Sequence, residues 1–199
     1  MAGLLIVISG PSGAGKGTIY NSILQRMPEI VTSISVTTRS PRKTETEGVH
    51  YFFRTEEEFS KMIENDELLE YASVFDHHYG TPKKRVLDIV ESGKTIMLEI
   101  DVQGAAQIKS KFPSCVCIFV MPPSFEVLEN RLRGRATDSE ESIIKRLSEA
   151  KGELSTYKMF DYIVFNDNLH EAIDQTVSII KAERNKVSRN ETKIKQLLK

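Results

Sequence analysis

The sequence predicts an α/β fold: a parallel sheet flanked by helices, carrying an inserted lobe and a helical lid. Apolar runs recur at "LLIVIS", "TIMLEI", "CVCIFV" and "YIVF". Each is short, bounded by turn or charged residues, and lacks strict alternation, as strands covered on both faces require. Helical patterns lie between them. Ile19, Ile23 and Leu24 share one face, and Val86, Ile89 and Val90 share another before "ESGK" stops it. Strand alternating with helix is the connection a parallel sheet needs. Two stretches break that rhythm, and they predict the lobe and the lid.

From about Ser35 to Thr81 the chain turns polar and irregular, with a short helix expected around Phe59, Met62 and Ile63 and a strand at "ELLEYASVF". "HHYG" reads as a strand edge. The second break, "RLRGRATDSEESIIKRL", gathers arginines around a glycine and then resumes helix, with Asp138 or Ser139 as its cap and Ile143, Leu147 and Ala150 on one face. An amphipathic helix through Leu169, Ile173, Val177 and Ile180 follows, and the polar "KVSRNETKIKQLLK" reads as its fraying extension. At 199 residues one domain is expected, with a core at 1–34, 82–130 and 158–199, a lobe at about 35–81 and a lid at about 131–157.

With 27 basic and 28 acidic residues, the chain has no overall basic footprint for a nucleic-acid polymer. The two cysteines, Cys115 and Cys117, read as small buried strand residues, a bridge between them would be strained, and a reducing compartment is expected. The amino terminus shows neither a basic leader nor an apolar run long enough to span a bilayer, so the expected location is cytoplasmic, away from membranes. Oligomeric state is open, a homo-oligomer included. Four scattered histidines offer no protein-built metal site.

"GPSGAGK", Gly10 to Lys16, has the G-x-x-x-x-G-K spacing immediately after a buried strand and before a helix. Glycines let the backbone turn its N–H groups toward an anion, the helix amino terminus adds positive potential, and Lys16 places a charge on the outer phosphates. The nucleotide-binding stretch therefore comprises Gly10, Pro11, Ser12, Gly13, Ala14, Gly15, Lys16, Gly17 and Thr18, in a sheet of the P-loop NTPase type. Gly17 stands where Walker loops place a magnesium-binding hydroxyl, which here arrives one residue later as Thr18. Magnesium is then expected to keep most of its water and to be held by the nucleotide's phosphates and a carboxylate.

In the inserted stretch, Arg39 and Arg42 lie three apart around a proline, with Tyr51 shortly after. Two guanidiniums and a phenol can clamp a phosphate monoester, while the same residues also suit an ordinary exposed loop. Taken with "GPSGAGKGT", "TTRSPR", "GVHYFF", the later "YGT" and "EIDVQG", the chain closely resembles the guanylate kinases from Leu5 to about Ile180. That resemblance implies transfer of the terminal phosphate of ATP to GMP, with magnesium, on a parallel sheet with an inserted lobe that binds the nucleoside monophosphate. It assigns the acceptor phosphate to Arg39, Arg42, Tyr51 and Tyr79. It assigns guanine to Glu70, Thr81 and Ser35, with Asp101 also in the nucleotide site.

Chemistry agrees with those assignments. Guanine presents N1–H and N2–H₂ beside O6, so a carboxylate can accept both donors while a hydroxyl donates to O6. The lid residues Arg131, Arg135 and Arg146 match the family's arginine pattern and would meet the charge that phosphoryl transfer spreads over the moving group. "FNDNL" resembles the family's segment near the donor adenine, with Asn166 and Asp167 as contacts. Thr44 and His50 depart from the residues usual in that family, as Gly17 does from Walker loops, and Glu99 stands where aspartate is frequent. Scaffold domains of the same family have lost phosphoryl transfer through degraded loops. Here the loop lysine and the arginines are all present.

Overall fold

The computed structural model describes residues 3–74, 76–134 and 140–198. The first strand, β1 (Leu4–Ser9), is buried along its whole length and runs into the glycine loop, which opens helix α1 (Lys16–Arg26). After β2 (Val31–Thr32) the chain leaves for a second sheet, built from β3 (Ser35–Thr37), β4 (Tyr51–Phe53), α2 (Glu56–Glu64), β5 (Leu68–Val74) and β6 (His77–Pro82). It returns through α3 (Lys83–Glu91), β7 (Thr95–Glu99), α4 (Val102–Lys111), β8 (Val116–Met121), α5 (Phe125–Arg133) and α6 (Glu140–Ser155). A short 3₁₀ turn leads to β9 (Tyr162–Phe165), α7 (Leu169–Arg184) and α8 (Val187–Leu197).

The main sheet has the order β2-β7-β1-β8-β9, and every neighbouring pair is parallel. Alternate residues of β1 face opposite ways, and both faces find helices. Leu4, Ile6 and Ile8 pack with Ile19 and Ile23 of α1 and Ile173 and Ile180 of α7. Leu5 and Val7 pack with Val86 of α3 and Ala105 and Ile108 of α4. That double cover is why these strands read as continuous apolar runs. The neighbours of β1 in the sheet are β7 and β8, so connections diverge at its carboxyl end, where open α/β sheets hold ligands.

The second sheet has the order β4-β3-β6-β5, with β3 and β4 parallel and the other pairs antiparallel. Helix α2 covers it through Phe59, which packs on Val36 and Leu68. Its start is fixed by Thr55 and Glu58, each side chain accepting the other's backbone N–H. The lid helices α5 and α6 share a small core of Leu128, Leu132, Ile143 and Ala150. Asp138 and Ser139, the expected caps of α6, lie outside the described residues.

Three details differ from the sequence reading. "HHYG" belongs to β6, which pairs on both sides, so it is an interior strand and not an edge. Leu169 is partly exposed at the first position of α7, where the helix has not yet reached the sheet. The carboxyl tail is no extension of α7. That helix stops at Arg184, and α8 turns back so that Arg189 donates to Ser114 O (2.8 Å) while Asn190 donates to Arg184 O (2.8 Å).

Candidate active site

The loop between β1 and α1 is shaped by its glycines and held from outside. Gly15 adopts φ 95°, a left-handed conformation that non-glycine residues rarely take, and thereby turns the chain into α1. A Cβ there would also lie 2.2 Å from Asn166 Nδ2. The buried Asn166 carboxamide donates to Ala14 O at 2.8 Å, and Arg131 donates to Asn166 O (2.9 Å) and to Ala14 O (3.4 Å). The end of β9 and the last turns of α5 thus clamp the loop. Lys16 Nζ donates to the carbonyls of Gly10 (2.6 Å) and Pro11 (3.0 Å), folding its side chain over the loop. Thr18 is exposed on α1, and Asp167 is exposed beyond β9.

Lys16 opens onto a cleft of about 570 Å³ between the two sheets. Ser35, Tyr51, Glu70, Tyr79 and Asp101 line the same cleft, so residues far apart in sequence converge on the loop lysine. Glu70 is 3% exposed, and Thr81, fully buried on the neighbouring strand β6, donates to its Oε1 at 2.6 Å. Burial, reinforced by the negative charge of Asp101, pushes the Glu70 pKa up to about 7, against the pull of the Thr81 hydrogen bond and of Lys111. Helix α4 approaches this carboxylate at Gly104, where a Cβ would stand 2.3 Å from Glu70 Oε2.

Asp101 caps α4, its Oδ1 accepting the N–H groups of Gln103 (2.7 Å) and Gly104 (3.0 Å). The turn after β7 therefore fixes it at the mouth of the cleft. Arg39 pairs with Glu45 at 2.9 Å and lies 5.5 Å from the centre of the Tyr51 ring, while the Tyr51 and Tyr79 rings are 6.1 Å apart, edge to face. A guanidinium and two phenols thus form one group. Arg42 is exposed, and its N–H donates to Glu45 Oε2 (2.8 Å), so Glu45 organises both arginine-bearing turns.

On the lid, Arg146 of α6 is half-buried, and Arg135 lies outside the described residues. Arg133 instead pairs with Glu129 and Glu140 on the surface.

Two carboxylates beside the loop were missed or left without a role by the sequence reading. Glu153 of α6 lines the same cleft as Ser12 and Lys16, and burial holds its pKa above the usual carboxylate range against the pull of Lys16 and the Ser12 backbone. No local pattern marks it, since the contact crosses most of the chain. Glu99 closes β7 beside Gly17, where a Cβ would lie 3.4 Å from its Oε1. Burial raises the Glu99 pKa and Lys16 opposes that rise. A small residue at position 17 leaves space between the loop and this carboxylate. Such a donor set suits a hydrated magnesium ion better than one bound directly by protein oxygens.

A P-loop on a parallel sheet, facing a polar cleft walled by a second sheet and overhung by lid helices, defines a P-loop kinase. The family model described as guanylate kinase matches residues 3–183, and the chain belongs to that family. It is 52% identical to the guanylate kinase of Caldanaerobacter subterraneus subsp. tengcongensis over 188 residues, which cover 94% of this chain and 91% of that one. To the guanylate kinase of Synechocystis sp. it is 51% identical over 181 residues, covering 91% and 95%. The crystal structure of guanylate kinase from Anaplasma phagocytophilum superposes with a TM-score of 0.79 at 38% identity, over 94% of this chain and 89% of that one.

Proposed function

We propose that the protein transfers the terminal phosphate of ATP to GMP, giving ADP and GDP, and so returns GMP to the guanine nucleotide pool of the cytoplasm. The observation that carries this reading is the convergence of Lys16 with the buried Glu70 on one cleft. Glu70, in its ionised form, accepts N1–H and N2–H₂ of guanine, and Thr81 and Ser35 complete the polar wall around the base. Adenine would leave this carboxylate facing an acceptor nitrogen, a mismatch worth roughly 10⁴ in discrimination when the polar group is buried. Arg39, Arg42, Tyr51 and Tyr79 hold the acceptor phosphate, while Asp101 orients the nucleotide from the start of α4.

The donor phosphates lie on the backbone N–H groups of the Gly10 to Thr18 loop, Pro11 excepted, and on Lys16, with Asn166 and Asp167 at the adenine end. The acceptor is already an anion at neutral pH, so transfer needs no strong base, and positioning and charge neutralisation carry the catalysis. Lys16 meets the donor side of the moving group. Arg131, Arg135 and Arg146 meet it from the lid, once nucleotide binding closes the inserted lobe and the lid at about 131–157 over the cleft and excludes water. Glu99, beside the loop, would help hold a hydrated magnesium ion brought by the donor nucleotide, which would supply further charge neutralisation. Among the described residues no helix is long and apolar enough to cross a membrane.

ADP formation from MgATP with GMP, AMP, UMP and dTMP offered separately tests the proposal. Turnover with GMP alone is the expected result. Turnover with another monophosphate would keep the phosphotransfer and overturn the role of Glu70, and turnover with none would overturn the proposal.

A further inference from the structure

At the far end of the sheet from the phosphate loop, Cys115 and Cys117 flank the first residue of β8 and project from the same face. Both are free thiols, 4% and 1% exposed, and their sulfurs are 3.4 Å apart. Cys115 borders a cavity of about 660 Å³ that Gly3, Val90, Lys109 and Arg189 also line. The pairing of Ile6 with Val116 and of Val7 with Cys117 puts this cavity near the start of β1, whereas the phosphate loop begins beyond its end. Nothing in the proposed phosphotransfer uses these thiols.

Three chemistries could use two sulfurs so placed. A tetrahedral zinc ion needs four donors, and no group of three or more His, Cys, Asp or Glu that could hold a metal occurs among the described residues. The nearby Asp161 is already engaged, accepting from Cys117 N (2.8 Å) and from Lys109 (2.7 Å). A disulfide would need the sulfurs drawn in to about 2.05 Å within a strand held in register by β1. A soft centre that inserts between the two sulfurs asks for neither further ligands nor closure. The cavity beside Cys115 has room for the substituent such a centre carries.

We propose that Cys115 and Cys117 form a vicinal dithiol site for a trivalent thiophilic centre, represented by a monosubstituted arsenical, RAs(OH)₂. Two As–S bonds form and two As–O bonds break; the two thiol protons leave with the two hydroxides as water, and no atom changes oxidation state. The local charges suit that order of events. The hydrogen bond that the two sulfurs share, with Lys109 and Arg189 assisting, holds the Cys115 pKa below the usual thiol range against the effect of burial. The same hydrogen bond, together with burial, keeps Cys117 protonated. Cys115, the sulfur that borders the cavity, is therefore the attacking one, and Cys117 supplies the proton to the first departing hydroxide.

Phenylarsine oxide offered to the native, full-length protein in excess monothiol, followed by intact mass measurement, tests this. One phenylarsenic adduct per chain is expected, stable to monothiol and removed by 2,3-dimercaptopropanol. C115A and C117A should each lose the adduct. Should either variant fail to fold, the contrast between monothiol and dithiol release on the wild-type chain decides alone. Uptake only after unfolding in urea, or an adduct equally retained in folded C117A, would overturn the proposal.

Discussion

Burying Glu70 beside Asp101 brings its pKa to about 7, and that has two separable consequences. If Glu70 reads guanine in its ionised form, as proposed, GMP binding must expel a proton below that pH. The KM for GMP should therefore rise as pH falls from 8 to 6, while the KM for MgATP changes little. E70Q should abolish the part of that slope centred on about pH 7, leaving the part due to the GMP phosphate, which titrates at about pH 6, and should raise the KM for GMP by roughly tenfold or more. An unchanged slope in E70Q would assign it to another group. For stability the sign is the reverse of a paired carboxylate. The folded pKa is raised from 4.5, so the contribution of Glu70 is fully present below that value and is lost as pH rises through about 7. Gly104 guards the same carboxylate. G104A places a methyl group 2.3 Å from Oε2, and the enforced shift should cost about 1–3 kcal/mol, seen as a lower Tm together with a higher KM for GMP.

Among the elements, the phosphate loop could be read directly, because its spacing, the strand before it and the helix after it are contiguous in the chain. The four long strands of the main sheet were legible for a similar reason, each carrying its own apolar run. By contrast β2, only two residues long, carries no periodicity, and α8 begins so soon after α7 that its polar composition resembles a frayed end. The contact of Glu153 with Ser12 was illegible for a different reason, since only the docking of α6 over the loop brings them together. That approach sets a carboxylate of α6 beside the loop and Lys16, which hold the phosphates in the proposed function. Removing its charge while keeping its shape should favour the phosphates. E153Q should therefore bind MgADP more tightly, by several fold, in a direct titration. Weaker binding would instead show that the carboxylate shapes the loop for phosphate.

Across the whole molecule, α8 tests whether the two ends of the main sheet act independently. Asn190 donates to the carbonyls of Arg184 (2.8 Å), the last residue of α7, and of Lys186 (3.0 Å), which precedes α8, and Arg189 reaches both Ser114 O and the buried Glu183. None of these contacts lies near the nucleotide cleft. Ending the chain after Lys186 removes charged hydrogen bonds worth about 2 kcal/mol, which in a chain of this size lowers Tm by roughly 4–8 °C. The KM values for ATP and GMP should stay as they were. The same truncation strips Ser188 and Arg189 from the wall of the dithiol cavity, so Cys115 should react faster with a thiol reagent in the shortened chain. Thermal unfolding, steady-state kinetics and the labelling rate of the two chains separate the possibilities. Lower Tm and faster labelling at unchanged KM and kcat would mean that α8 serves the amino-terminal end of the sheet alone. A fall in kcat at unchanged Tm would mean that the tail reaches the active site or an assembly on which the site depends.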